Sequence, residues 1–265
     1  MKKKKPVKRP LIRFIILSYV IFFVIFIVIG ISMLLGVPNS ITNLLQVIAA
    51  WSSTFAFMIL FKRIQQEVSL IAFIKKQFAE RIRPSVLINV VSIQVLILFV
   101  AIIVLSNIQG TLAFSFTSFG LLLIAFIDSL VRGPLGEELG WRGYALSELQ
   151  KKYSPLLSAI IIGFLWGFWH TPLWFASGYT GMNLIKYIVL FMIGIVSISI
   201  MMTLFFNLNK NLVIPIVIHQ LFNFSLVVIP GEVLDVLLYI MPCYVIVALL
   251  LIVINPRKIL YGRDL

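Results

Sequence analysis

Eight stretches of this chain stay apolar for the length of a helical membrane span: 14–35, 44–61, 86–106, 114–131, 155–176, 187–206, 212–229 and 236–254. A helix needs about 20 mainly apolar residues to cross the hydrocarbon core. Composition points the same way. Hydrophobic residues make up 61% of the chain and charged residues 12%, against about 45–50% and about 25% in soluble domains. The chain therefore reads as all-α, a polytopic membrane helix bundle with about eight transmembrane helices.

The basic residues test that reading. With the N-terminus cytoplasmic and the spans alternating, 21 of the 22 Lys and Arg fall in inside segments, and Lys186 is the exception. The outer loops around 38–42, 107–110 and 177–183 carry no charge, and the last one holds Glu232 and Asp235. Such an excess of positive charge inside sets topology. The net charge of +13 is thereby spread over short loops rather than gathered on one face, and no nucleic-acid partner is expected. The Lys2–Lys5 run precedes an apolar stretch too long for a signal peptide, so an uncleaved first span is expected. These readings place the protein in a bacterial plasma membrane, in contact with the lipid bilayer, with both termini cytoplasmic. A single cysteine, Cys243, excludes an intramolecular disulfide and a cysteine-based zinc cluster.

Three regions follow. Residues 1–113 hold N-terminal helices and a basic segment, 62–84, that suits either an amphipathic helix on the inner leaflet or a solvated loop. Residues 114–229 form a core that contains the unusual polar groups, and 230–265 a last helix with a basic tail. Internal repeats of the kind transporters show are absent.

Polar groups at membrane depth are expensive and mark functional sites by default. Glu137 and Glu138 follow Gly133, Pro134 and Gly136, which should break the preceding span and place both carboxylates in the first turn of a new helix. Glu138 and Arg142 are i and i+4 and can pair, while Glu137 points about 100° away. A capped helix start with a solvated ion pair would leave the same pattern. His170 ends an apolar run rich in tryptophan, so it suits a metal, a bound water or an interfacial aromatic belt. Thr171-Pro172 should end or kink its helix. His219 and Asn223 are i and i+4 on one face, suited to a site or to hydrogen bonds between helices. Asp128 reads as buried structure and Glu148 as a surface group.

In order, these motifs read Glu137-Glu138-x-x-x-Arg142, Trp166-x-x-x-His170 and His219-x-x-x-Asn223. The arrangement resembles the CPBP family of intramembrane proteases, which includes type II CAAX prenyl endopeptidases and bacteriocin-immunity proteins and carries EExxxR, FxxxH and HxxxN. The resemblance covers about 114–228, and Trp166 replaces the phenylalanine of the second motif. It implies an eight-helix bundle whose site opens toward the cytoplasm. It further implies an endopeptidase acting on a membrane-associated peptide or protein. Glu137 would be the general base, orienting a water with His170; His219 and Asn223 would stabilise the oxyanion, and Glu138 with Arg142 would position the site. Glu137, His170 and His219 would also supply a carboxylate and two imidazoles for Zn2+, although a metal-free mechanism uses the same residues. The alternative is a non-catalytic family member that acts in bacteriocin self-immunity or as a membrane scaffold. A proton-coupled transporter is a third reading.

One geometric tension is built into these spans. If the fifth starts near 155, His170 lies ~22 Å along it, while His219 lies only ~10 Å into its own span. The two meet if the fifth span starts later or tilts, or if the Glu137 helix dips into the membrane.

Overall fold

The computed structural model describes residues 9–109 and 118–262. Among these the only regular structure is helical. Lys2–Lys5, the outer turn at residue 110, the start of the fourth span and Arg263 lie outside the described residues. Helix α1 (Pro10–Leu34) opens the bundle, and the pair α2 (Asn39–Ala50) and α3 (Ser52–Ile64) packs beside it. The short α4 (Leu70–Gln77) and the long α5 (Pro84–Gln109) follow. Then come α6 (Phe119–Val131), α7 (Pro134–Glu138), a π-helical segment (Leu139–Leu146) and α8 (Ser147–Gln150). The chain closes with α9 (Pro155–Trp169), α10 (Thr171–Ala176), α11 (Gly181–Asn209), α12 (Val213–Val228) and α13 (Val233–Ile254).

In its described residues, each of the eight apolar windows falls on one of these helices or helix pairs. Five helical runs are long and apolar enough to cross a membrane: Pro10–Leu34, Pro84–Ile108, Phe119–Gln150, Gly181–Asn209 and Val233–Ile254. The other three windows differ from the continuous spans expected. Window 44–61 is broken at Trp51, with α2 and α3 inclined by 51°. The break contains neither Pro nor Gly. It follows from the Trp51 side chain, whose indole Nε1 donates to the Val131 carbonyl at 3.0 Å and whose ring lies over Gly136. An inserted side chain is a recognised cause of such a kink. Window 155–176 divides at His170, which caps α9 just before Thr171-Pro172, as the proline requires. Helices α9 and α12 have 15 and 16 residues, fewer than the about 17–25 of a full span.

Helix α11 is the centre of the bundle. Within its most apolar window 67% is buried, against 17–28% for the other four long runs. Such closeness needs small side chains. A Cβ added to Gly163 of α9 would stand 2.8 Å from the Val196 Cα of α11. Beside it, Ser199 Oγ donates to the Ala159 carbonyl at 2.7 Å, which fixes the register of α9 on α11. On its other side α9 is tied to α1: Trp169 Nε1 donates to Ser18 O at 3.3 Å.

The turn into α12 is held as firmly. Asn211 Nδ2 donates to Phe78 O and Glu80 O at 3.2 and 2.6 Å, and Leu212 N donates to Gln77 O at 2.8 Å. These bonds clasp the end of α4. Within the basic segment 62–84, α4 is the helical part that stands alone. It turns Phe73 onto Phe57 and Phe61 and leaves Ile71, Lys75 and Lys76 exposed.

Gly163→Ala should lower stability by about 1–3 kcal/mol, because the added methyl meets backbone rather than a flexible side chain. Thermal melting in detergent reads this. Gly30→Ala, which has nothing within 4 Å of its Cβ position, should melt like the wild type.

Candidate active site

α6 ends at Val131, and Gly133-Pro134 restarts the helix as α7, as the sequence pattern requires. Arg132, in the gap, stays outside the site and binds Asp128 Oδ1 at 2.7 Å and Gln46 Oε1 at 2.6 Å. Asp128 is 53% exposed, not buried as expected; Arg132, one turn later, draws it to the outer face. Glu148 bonds Lys151 at the surface.

Glu137 and Glu138 do not sit at a solvated edge. They are 4% and 0% exposed, and Arg142 is 0% exposed. α9 begins at Pro155, as the fifth window does, and Trp166 on it reaches Glu137 of α7. Beyond Glu138 the helix widens to π spacing through the buried segment 139–146, an irregularity often found at functional sites. Trp51 and Ser53 support it from behind. The Trp51 ring covers Gly136, and Ser53 Oγ donates to the Glu137 carbonyl at 3.2 Å.

The two glutamates separate as the helical twist demands. Glu138 Oε1 receives Arg142 Nη1 at 3.2 Å and His219 Nδ1 at 2.7 Å. A carboxylate only accepts, so His219 carries its proton on Nδ1 and presents Nε2 away from Glu138. The rest of the Arg142 guanidinium lies on the Trp166 ring, with Cζ 4.1 Å from the centroid, an arrangement the ring quadrupole favours. Glu137 turns the other way. Its Oε2 accepts the Trp166 indole N–H at 2.6 Å, and Oε1 remains for other chemistry. His170 Nδ1 donates to the Trp166 carbonyl at 2.7 Å, which again leaves Nε2 as the acceptor.

Gly133 faces this group. A Cβ there would lie 2.6 Å from Asn223 Nδ2 and 3.5 Å from His219 Nε2. Asn223 Nδ2 and His219 Nε2 thus stand against the Gly133 backbone at a place that admits no side chain. The structure gathers the sequence candidates Glu137, Glu138, Arg142, His170, His219 and Asn223 around Trp166 and Gly133. Among the described residues, no three His, Cys, Asp or Glu side chains are arranged to hold a metal ion, Glu137, His170 and His219 included. Sequence reasoning missed Trp51 and Ser53, which have no signal beyond an apolar run. It treated Gly133 only as a helix breaker and Trp166 only as an aromatic ring.

Removing one partner of a buried ion pair strands the other charge. Arg142→Ala should therefore cost about 3–5 kcal/mol and lower the yield of folded protein. Size-exclusion profiles and melting in detergent measure it, and an unchanged melt would show that Glu138 does not need its arginine.

Comparison with known proteins adds a family. A family model described as "Type II CAAX prenyl endopeptidase Rce1-like" matches residues 118–225, which include every residue of the candidate site except those contributed by α2–α3. CAAX prenyl protease 2 of Methanococcus maripaludis is 30% identical over 167 residues, covering 57% of this chain and 62% of that relative. The chain thus spans less than two thirds of the relative's length. The segment that carries the site belongs to the CAAX-protease-like, or CPBP, family.

Proposed function

We propose that the chain is an intramembrane endopeptidase that hydrolyses peptide bonds of membrane-associated substrates with a water activated by Glu137. The observation that carries this reading is the division of labour in the buried site. Glu138 Oε1 takes both basic partners, Arg142 and His219, while Glu137 has only the neutral Trp166 N–H on its Oε2. Glu137 Oε1 and His170 Nε2 are both acceptors suited to orienting a water. As the water attacks the carbonyl, its proton passes to Glu137 and the oxygen of the carbonyl becomes an oxyanion. Asn223 Nδ2, held against Gly133 with the His219 ring beside it, supplies a donor to that oxyanion. The C–N bond then breaks, and the leaving amine takes the proton from Glu137.

The metal-free route is the one we favour, because the three candidate ligands are not gathered on a common point. The substrate class follows from burial of the site and from the family: a peptide delivered from the membrane. The relative's name, CAAX prenyl protease 2, makes prenylated CAAX peptides the first to try.

Cells expressing wild type and Glu137→Gln at matched membrane levels should differ in their membrane and secreted peptide termini. New termini are expected with wild type alone, and they should persist in membranes treated with a zinc chelator. Loss that added zinc restores would assign the metal route. No new termini, together with a phenotype that Glu137→Gln retains, would replace the protease by the immunity or scaffold reading.

Gly133→Ala probes the Asn223 donor separately. Its methyl would displace Asn223, and a 1 Å misplacement costs on the order of 10²-fold in rate. The same termini, quantified against wild type, should fall by that factor at unchanged protein level.

A further inference from the structure

Trp166 is where this chain departs from the family pattern, which has phenylalanine there. A phenylalanine ring could fill the same space and cover the Arg142 guanidinium. It could not donate a hydrogen bond. Trp166 is fully buried, and its indole N–H ends on Glu137 Oε2 at 2.6 Å. The same residue touches three more site side chains. Arg142 lies over its ring at 4.1 Å, His219 stands edge-on at 4.9 Å, and its carbonyl receives His170 Nδ1 at 2.7 Å.

We infer that the Trp166 indole is a positioning residue that fixes the Glu137 carboxylate, holding Oε2 so that Oε1 faces the water. This rests on the protease reading above. A glutamate side chain has three rotatable bonds, and a carboxylate offers two equivalent oxygens. A general base must nevertheless bring one oxygen within about 2.6–3.2 Å of the proton it takes. One strong donor on one oxygen removes that freedom, and a donor to a charged carboxylate is among the stronger hydrogen bonds. The donor itself is rigid. Gly163, one turn before it, seats α9 on α11, and Trp169 ties α9 to α1. The indole therefore carries the position of the bundle's centre into the Glu137 carboxylate.

Trp166→Phe keeps the ring and deletes the donor. Trp141→Phe is the matching control, since Trp141 is also fully buried and its Nε1 has no partner among the described residues. With a quenched fluorescent prenylated CAAX peptide in proteoliposomes, Trp166→Phe should lower kcat by on the order of 10- to 100-fold with KM within about twofold. Trp141→Phe should leave kcat within about twofold of wild type even if the protein melts earlier. Retained kcat in Trp166→Phe, a change confined to KM, or an equal loss in Trp141→Phe overturns the inference. A second readout needs no substrate. In nanodiscs, protein labelled with 15N at its five tryptophan indoles should show one N–H proton far downfield. That resonance should be missing in Trp166→Phe and move upfield in Glu137→Gln and Glu137→Ala. If wild type cleaves no peptide, the protease reading is at fault, and this resonance alone decides the pairing: no movement in either Glu137 variant overturns it. The Glu137 variants also keep the test alive if Trp166→Phe does not fold.

Discussion

A carboxylate without exposed surface, Glu138, sets the terms for the rest of the structure. An unpaired charge at that depth is so unfavourable that it must be neutralised by partners the fold delivers. Two arrive at the same oxygen, Arg142 from the π-helical segment and His219 from α12. Arg142 in turn needs cover for the rest of its guanidinium and finds it on Trp166 of α9. One buried charge thus commits three parts of the chain to one another. The register of α12 against α7 and α9 is set by this network as well as by apolar packing. In a membrane that matters, since lipid tails compete with apolar side chains and leave packing and polar contacts to select partners.

The apolar wall around the network makes those interactions strong. Trp141, Trp169, Phe14 and Tyr144 interlock through edge-to-face contacts, with Trp141 and Trp169 centroids 6.3 Å apart. Low local polarity strengthens each charged hydrogen bond and equally raises the cost of any group left unpaired. Glu138 Oε2 and the Arg142 Nε and Nη2 nitrogens bear that cost, being buried without a hydrogen-bond partner among the described residues. His170 and His219 each have Nδ1 committed and Nε2 presented, and Glu137 has one oxygen committed. Their states are decided by neighbours before any substrate arrives, which is what a preorganised site requires.

How much of this was legible in the sequence depends on range. The apolar windows located the helices because span length and hydropathy are local. The Glu138–Arg142 pair was legible for the same reason, as helical spacing alone brings i and i+4 together. The break at His170 was written in Thr171-Pro172. Longer-range facts were not written locally. The kink at Trp51 depends on Gly136, far along the chain, offering a surface flat enough for an indole. Asp128 looked buried because its neighbours are apolar, yet they face outward and Arg132 holds it there. That Glu137 meets Trp166 of α9 and Glu138 meets His219 of α12 depends on where α7 sits, which no local pattern records. Trp166 is the most instructive case: as a letter it is one aromatic for another, and only its direction reveals the donor.

The support for the site also extends beyond the segment that defines the family. Residues 118–225 contain the polar motifs, but the rear face of α7 and the π-helical segment is closed by Trp51 and Ser53, which lie outside it. A Cβ on Gly140 would stand 2.8 Å from the Ser53 backbone, and one on Gly136 would stand 2.5 Å from the Trp51 ring. Contacts that close leave no room for α7 to retreat. The kinked pair α2–α3 therefore pushes Glu137 and Glu138 toward α9 and α12, while Trp166 and His219 hold them from the front. Motif residues of this kind are recognisable anywhere in a chain, but their geometry is set by a backing that a motif does not record. In this chain that backing comes from a helix pair bent at one tryptophan.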